Sequence, residues 1–572
     1  MCLYLLPEKT ANCIFNMLQE NLIRMYEESF RAHWDLPAVS DYFKQEDRFT
    51  YGQAAREIAK LHLLFRECRI GRGDKIALYG RNNARWCLAY VAAITYGAVI
   101  VPILQDFNSN DVQHIVNHSD SVLLFVGDQY WDSITPRNVE RVRAVFSLTD
   151  YSCNHDARGG AIEAFNREIE TRFDEAYPDG FSPRDVVFAE VANDEMVLLN
   201  YTSGTTGFSK GVMVSVNNLT GNVVYCIRKN LHRRGSRGLS FLPLAHTYGC
   251  TLDFLLPMAV GAHITLLGKI PSPKILIEAA QKVRPDILFT VPLVLEKIYR
   301  KQVLPQMQRK TVEVAQKIPL LKEKIYESVN KQLMDAFGGC CSMVVAGGAP
   351  LNREVEEFLL RIGFPITVGY GMTECAPLIS FARNEEFVPT SCGRVLEGVM
   401  EVRIDSPDPQ NVVGEIQTRG ENVMLGYYKN EEATKAVFTE DGWLKTGDLG
   451  TLGPDNALFI RGRCKSLILS ANGQNIYPEE VEAKLNNLPG VAESLVVERG
   501  GRLVALVYPD YDQSHSGGAN ELERFKTLME KNKIAVNKML AGYEQIAEIV
   551  LFPTEFEKTP KKSIKRYLYN IS

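Results

Sequence analysis

The sequence predicts an α/β protein with a large N-terminal domain of parallel sheets covered by helices, a small β-rich subdomain and a small α+β C-terminal domain. At 572 residues, the chain is too long for a single hydrophobic core. From about residue 75 to residue 370, short β-branched runs alternate with segments of helical period, which is typical of parallel sheets flanked by helices. The pattern changes near residue 392 and again after Arg463, where the two smaller units are expected to begin.

Six short runs are the predicted strands of the N-terminal part: KIALYG, VIVPIL, LSFLP, ITLLG, ILFTV and SMVVAGG. A helix is predicted over residues 83–95, between the first two strands. Residues 392–460 contain strands and turns with few helical periods, as in MEVRIDSPDPQNVVGEIQTRG, and predict the β-rich subdomain.

The C-terminal part begins with strand-like KSLILS and continues with a predicted helix over residues 478–488. The hairpin ESLVVERGGRLVALVYP, a helix over residues 522–539 and the strand AEIVLF follow. We therefore expect an N-terminal domain over residues 1–463 and a C-terminal domain over residues 464–572.

Composition excludes several classes of protein. Apolar residues make up 45% and charged residues 23% of the chain, which excludes disordered and fibrous proteins. A net charge of -5 predicts small-molecule substrates and no nucleic-acid partner. The twelve cysteines form no C-x-x-C motif, which predicts a reducing, cytoplasmic compartment without structural zinc. The sequence predicts neither a signal peptide nor a membrane span, and it leaves peripheral membrane contact and the oligomeric state open.

A loop rich in hydroxyls and glycine, YTSGTTGFSKG at residues 201–211, follows the strand-like MVLLN and precedes a segment that can form a helix, residues 216–227. Backbone N–H groups, hydroxyls and an ammonium group in one turn can hold a polyphosphate. A surface turn is the alternative for a shorter fragment, but eleven residues in this order favour phosphate binding. It is not the common P-loop, because Gly211 follows Lys210 where Ser or Thr is required. The candidate phosphate-binding residues are Thr202, Ser203, Gly204, Thr205, Thr206, Gly207 and Lys210.

This loop resembles the phosphate loop of the adenylate-forming superfamily, which includes acyl-CoA synthetases, luciferases and the adenylation domains of peptide synthetases. Further motifs similar to those of the superfamily follow in the expected order: GGAPL at 347–351, YGMTE at 370–374, GEIQTRGENVMLGYY at 414–428, GWLKTGDLG at 442–450 and RGRCKSLILSANGQNIYPEEVE at 461–482.

The resemblance implies roles for the residues of these motifs. Gly348, Ala349 and Tyr370 would form the adenine slot of an ATP site, to which Gly371 would also belong. Thr373 would lie near the α-phosphate, and Glu374 would act in catalysis by holding Mg²⁺, which prefers carboxylate and phosphate oxygens. Asp448 would bind the ribose hydroxyls, and Arg463 would bind the same sugar or the phosphate.

The implied reaction has two steps. A carboxylate attacks the α-phosphorus of ATP and releases pyrophosphate, and the thiol of coenzyme A, a substrate, then displaces AMP. Members of the superfamily perform the two steps with different orientations of a mobile C-terminal domain. The hinge residue aligns with Lys465, and Gly473 would leave room for the pantetheine arm. A carrier-protein thiol instead of coenzyme A, or a non-catalytic acyl- or adenylate-binding sensor, are the alternatives.

The chain departs from the superfamily near its C-terminus. Relatives carry K-T-x-S-G-K-I-x-R, whose second lysine binds the acid and the α-phosphate, whereas this chain reads KTPKKSIKR at residues 558–566, with Ser563 in the lysine position. Lys562, the nearest lysine, is the first candidate to take over this catalytic role, although it would need a local bulge or a slip in register, and Lys561 is the second. Lys561 and Lys565 share the face of Ser563 in an extended segment. The alternative is that all three lysines are solvated tail charges.

Two segments concern the acid. Residues 291–306 and the basic helical stretch to residue 336 are similar to long-chain fatty acyl-CoA synthetases, and a solvated pair of surface helices is the alternative. The apolar residues 242–258 would line the acyl side, where His246 would either gate the pocket or cap a helix. A medium-to-long-chain fatty acid is the predicted substrate, with aryl acids as the alternative.

Overall fold

The protein is described by a computed structural model that covers residues 18–44, 46–134, 138–202, 210–268, 271–469, 474–511, 520–559 and 564–569. The strands of its first part are β1 (Pro37–Asp41), β2 (Arg48–Thr50), β3 (Lys75–Tyr79), β4 (Val99–Ile103), β5 (Ser121–Val126), β6 (Ala144–Ser147), β7 (Cys153–Asp156), β8 (Met196–Thr202), β9 (Lys210–Ser215), β10 (Arg237–Ser240), β11 (His263–Leu266), β12 (Ile287–Thr290), β13 (Met343–Ala346) and β14 (Ile366–Val368).

Helices connect and cover these strands: α1 (Leu22–Ala32), α2 (Tyr51–Glu67), α3 (Ala84–Tyr96), α4 (Ser109–His118), α5 (Asp128–Trp131), α6 (Ala161–Arg167), α7 (Ile169–Ala176), α8 (Val216–Arg228), α9 (Thr247–Gly249), α10 (Leu256–Val260), α11 (Pro273–Val283), α12 (Pro292–Ile298), α13 (Leu304–Met307), α14 (Lys310–Ala315), α15 (Pro319–Ala336) and α16 (Arg353–Arg361). Two π-helical segments, Cys250–Leu255 and Tyr299–Val303, continue α9 and α12.

The later elements are β15 (Tyr370–Gly371), β16 (Leu378–Phe381), β17 (Arg394–Val395), β18 (Met400–Asp405), β19 (Gly414–Gly420), β20 (Gly426–Tyr427), α17 (Glu431–Val437), β21 (Leu444–Leu452), β22 (Leu458–Arg463), β23 (Ile468–Leu469), β24 (Asn475–Ile476), α18 (Pro478–Leu485), β25 (Val491–Arg499), β26 (Arg502–Pro509), α19 (Asn520–Asn537) and β27 (Ile546–Leu551).

Two large sheets form the N-terminal part, in the orders β14-β13-β12-β10-β11-β1-β2 and β20-β9-β8-β4-β3-β5-β6-β7. Their central strands are parallel, and antiparallel pairs occur at the ends, as between β8 and β9. The predicted α/β class is confirmed. One apolar cluster, with members from Leu22 to Leu444, fills the space between sheets and helices.

The prediction for the segment after the phosphate loop was incomplete. The sequence indicated a helix after the loop, and the structure places strand β9 before that helix, α8. β9 pairs with β8 along its whole length, so the backbone N–H and C=O groups that these two strands turn toward each other are paired in a hairpin ladder.

The β-rich stretch contains the sheet β18-β19-β21-β22, as predicted. Two of its strands pair elsewhere. β17 joins the small sheet β15-β16-β17, and β20 pairs with β9 at the edge of a large N-terminal sheet. The predicted subdomain is therefore interleaved with the N-terminal part, because β20 completes the ladder that β9 leaves open.

The C-terminal part has a separate apolar cluster, with buried members from Ile476 to Ile546, around the sheet β25-β26-β27. It contacts the first part where Arg300 donates to the carbonyl of Asn486 at 2.7 Å. The domain boundary after Arg463 stays a prediction. In the described residues, no helix is both long and apolar enough to cross a membrane.

Candidate active site

The two ends of the predicted phosphate loop lie on paired strands. Thr202 ends β8, Lys210 begins β9, and the two residues face each other in the antiparallel register. The Thr202 hydroxyl donates to the carbonyl of Lys210 at 3.5 Å. The other predicted loop residues lie outside the described ranges: Ser203, Gly204, Thr205, Thr206 and Gly207.

A line of three side chains connects this hairpin to the predicted metal ligand. The Lys210 ammonium lies 4.8 Å from the centroid of the Tyr427 ring, and the Tyr427 hydroxyl donates to Glu374 Oε1 at 2.9 Å. Burial, followed by the nearby carboxylate, raises the pKa of Tyr427, so its hydroxyl stays a donor at neutral pH. One aromatic ring therefore holds the cation on its face and the anion at its edge.

The turn that carries Glu374 is fixed from two sides. Thr373 and Glu374 lie in a 3-10 turn, in which Thr373 is buried. Asn222 of α8, fully buried, donates to the carbonyl of Cys375 at 3.1 Å. The N–H of Met424 donates to the carbonyl of Glu374 at 2.8 Å. The segment that supplies Tyr427 thus also holds the backbone of Glu374.

A second set of side chains meets on the predicted nucleoside side. The Tyr370 hydroxyl donates to Asp448 Oδ2 at 2.7 Å, and Arg463 Nε lies 3.0 Å from Asp448 Oδ1. Asp448 and Arg463 are paired across β21 and β22, which fixes their approach. Burial, followed by the Asp448 carboxylate, raises the pKa of Tyr370 well above its usual value. The structure therefore brings together three residues that the sequence predicts separately.

The backbone geometry explains why glycine occurs at two further predicted positions, 348 and 371. Gly348 has a φ of +85°, and a Cβ built on it would meet open space, so its exposed backbone is accessible to a flat ring. Ala349 beside it is also exposed. A Cβ at Gly371 would lie 2.1 Å from the carbonyl oxygen of Pro377, so only glycine fits the close pairing of β15 and β16.

The predicted acyl-side segment is almost entirely buried. His246 Nδ1 accepts from the N–H of Tyr248 at 3.2 Å, which bears out the capping alternative, and gating stays untested. Tyr248 reaches the carbonyl of Val345 at 3.0 Å beneath the Gly-Gly turn. Asp253 lies in the π-helical segment, and its burial raises the pKa of its carboxyl well above the usual value.

A small apolar cavity of about 10 Å³, room for about one water-sized group, lies between the helices of residues 292–336 and α16. Its lining residues are Leu295, Ile298, Tyr299, Val303, Leu333, Phe337, Leu359 and Phe364.

The remaining predicted residues lie at the C-terminal part. Lys465 is exposed, in the 3-10 turn Cys464–Ser466. Gly473, Lys561 and Lys562 lie outside the described residues.

The residues that flank the unusual lysine segment are held on the C-terminal part. Lys558 and Ile564 form an antiparallel bridge. The Lys558 ammonium lies 2.5 Å from Glu493, and Arg566 pairs with Glu482.

Sequence reasoning missed Tyr427 and Asn222. Tyr427 lies in the motif GEIQTRGENVMLGYY, but its contacts with Lys210 and Glu374 depend on the pairing of β20 with β9, which no local sequence pattern indicates. Asn222 lies inside a helix, where its polar side chain on a buried face was the available signal.

Comparisons with known proteins identify the family. The model of the AMP-binding enzyme family matches residues 26–428. The chain is 28% identical to the long-chain-fatty-acid–CoA ligase ACSBG2 of Rattus norvegicus, over 84% of this chain and 76% of that protein. It is 27% identical to the long-chain-fatty-acid–CoA ligase FadD15 of Mycobacterium bovis, over 90% of this chain and 89% of that protein. The crystal structure of ATP-bound MatB from Rhodopseudomonas palustris has a TM-score of 0.75 and 20% identity, over 96% of this chain and 98% of that chain.

The matched family region spans most of the chain, which therefore belongs to the AMP-binding enzyme family. The resemblance inferred from the ordered motifs is confirmed. The likeness to MatB, at 20% identity, supports the fold.

Proposed function

We propose that the protein activates a medium-to-long-chain fatty acid with ATP, forming acyl-AMP and pyrophosphate, and transfers the acyl group to coenzyme A. The observation that carries this proposal is the line from Lys210 through Tyr427 to Glu374, because it joins the phosphate hairpin to a carboxylate. Activation of this kind depends on positioning and on charge neutralisation around phosphates.

Two groups of residues would bind the two parts of ATP, its phosphates and its nucleoside. On the phosphate side, Lys210 would neutralise charge on the leaving pyrophosphate, and Thr373 would contact the α-phosphate. On the nucleoside side, Tyr370 and the backbone at Gly348 would hold adenine, and the Asp448 carboxylate would accept from the ribose. Arg463 and Tyr370 already orient that carboxylate.

The chemistry of Glu374 fits a nucleotide-bound Mg²⁺. Among the described residues, no cluster of three metal-ligating side chains occurs, so a site made of protein ligands alone is not built there. Mg²⁺ commonly takes one or two carboxylates together with substrate phosphates and water. When bound, Mg²⁺ would neutralise charge on the phosphate oxygens. Glu374 would supply its carboxylate, which the Tyr427 hydroxyl orients.

Substitution of Glu374 by glutamine tests the proposal. Exchange of labelled pyrophosphate into ATP, measured with palmitate and Mg²⁺, should fall by about 100-fold or more, the scale of lost charge stabilisation at a reacting centre. Glu498→Gln, at an exposed position on β25, is the control and should leave exchange unchanged. Near-native exchange in folded Glu374→Gln would contradict the assignment.

The acid and the acceptor need a separate test. The names of the two relatives and the helices over residues 292–336 support a long chain. A tunnel for the acyl chain would require the small apolar cavity to widen. Each methylene of the acid that is buried there contributes about 0.8 kcal/mol, so kcat/KM should rise by about four-fold per methylene up to about twelve carbons. A preference for acetate, or for benzoate over palmitate, would refute the long chain. Release of pyrophosphate without formation of acyl-CoA would favour a carrier-protein thiol as the acceptor. Absence of both products would favour a non-catalytic sensor.

A further inference from the structure

A helical projection on the N-terminal part exposes large apolar side chains. It comprises residues 309–324, which we name the basic tip: helix α14, the connection after it and the first turns of α15. Four neighbouring residues of the basic tip are exposed: Val314 by 62%, Ile318 by 50%, Leu320 by 67% and Leu321 by 41%. Contiguous apolar exposure of this kind indicates an interaction surface, whereas single exposed apolar residues need no explanation.

Leu320 is not part of the face by which α15 joins the core. Val329 and Leu333 are buried, and Tyr326 packs against the same cluster one turn earlier. Leu320 lies nine residues before Val329, which is two and a half turns at 3.6 residues per turn, on the opposite side of the helix. The first turn of α15 therefore carries an apolar side chain, Leu320, that points away from the core.

Exposed cations alternate with the apolar residues along the basic tip. All the basic side chains of the basic tip are exposed: Arg309, Lys310, Lys317, Lys322 and Lys324. Only Glu313 and Glu323 oppose them within the same residues. The whole chain carries a net charge of -5, so this positive region is local. Because charges further than about 8–10 Å are screened at physiological salt, a local group of cations dominates contact with a charged surface.

We propose that the basic tip docks on the surface of a lipid bilayer that contains anionic lipid. Apolar side chains that enter the interface, with lysines beside them that reach lipid phosphates, are the features of interfacial helices. A second copy of this chain is a poorer occupant, because two basic tips placed face to face would bring like charges together.

Vesicle binding of the full chain tests the proposal. The protein is sedimented with phosphatidylcholine vesicles that contain or lack phosphatidylglycerol, at low and at physiological salt. We expect binding only to the anionic vesicles, weakened by salt. The double variant Leu320→Glu/Leu321→Glu should lower the partition coefficient at least about ten-fold. Lys317→Glu should lower it by about five-fold or more, the effect of one cation near the surface.

A matched control comes from the C-terminal part. Leu522 and Ile534 on α19 are exposed by 54% and 57%, so Leu522→Glu/Ile534→Glu removes similar apolar exposure elsewhere. This control should bind vesicles as the native protein does, and circular dichroism checks that both double variants are folded.

Three results would overturn the proposal. The first is no binding of the native protein to either vesicle. The second is equal loss of binding in the control and in the variant of the basic tip, or in neither. The third is a change of oligomeric state on Leu320→Glu/Leu321→Glu without vesicles, seen by sedimentation velocity, which would assign the surface to a second copy.

Discussion

Replacing Tyr427 by phenylalanine isolates one contact of the candidate phosphate site. The change removes the hydroxyl that donates to Glu374 Oε1 at 2.9 Å and keeps the ring that faces Lys210. A hydrogen bond to a charged group contributes about 1.5–3 kcal/mol, equal to about 10–150-fold in rate if it is lost completely in the transition state. Glu374 is partly exposed, so water can replace part of the bond. We therefore expect about a ten-fold loss of kcat/KM for adenylation.

The assay is ATP–pyrophosphate exchange at several Mg²⁺ concentrations, together with thioester formation from supplied acyl-AMP. The first reaction should weaken and require more Mg²⁺, and the second should stay nearly native. Tyr428→Phe is the matched control, because that neighbouring buried tyrosine donates to Asp120 at 2.9 Å. Exchange within two-fold of native for Tyr427→Phe, or an equal loss in Tyr428→Phe, would refute the reasoning.

Four further variants give two more predictions. Alanine at position 561, 562 or 565, made separately, should lower adenylation about 100-fold or more at the lysine that takes over the role of the superfamily lysine missing at Ser563, with thioester formation from acyl-AMP nearly intact; if no variant shows this asymmetry, none of these lysines has the function. Burial raises the pKa of the Asp41 carboxyl to about 7, so the folded protein binds this proton more tightly than the unfolded chain and loses stability as pH rises from about 4 through 7. Asp41→Asn should therefore raise the free energy of unfolding at pH 8 by up to about 4 kcal/mol, measured as a higher melting temperature, and lose this advantage near pH 4; an equal effect at both pH values would contradict the titration.

Much of the fold could be predicted because its signals are local. Strands such as β3 and β13 are short β-branched runs, and α3 follows a helical period with an asparagine cap at Asn83. The strand β9 was missed although KGVMVS has strand character, because a loop rich in glycine and hydroxyls also commonly precedes a helix.

The candidate site was predictable to the extent that ordered motifs name its residues. The contacts between residues of different motifs could not be predicted, because they depend on the pairing of strands that are far apart in the sequence. The Asp448–Arg463 pair follows from neighbouring strands that one turn connects. The position of Tyr427 depends on β20, which pairs with β9 and not with the neighbouring strands β19 and β21. The periodicity of the sequence does not indicate that β9 is the partner of β20.

The pairing of β20 with β9 also determines when the site can be completed during protein synthesis. The ribosome produces the phosphate loop and β9 early, but Tyr427 only after β10 to β19 have been made. Until then β9 is an edge strand with open backbone groups, and Lys210 lacks the ring beside it. A nascent chain that ends before residue 426 would carry the loop without its Tyr427 contact, so the binding of nucleotide phosphates should mature late in translation.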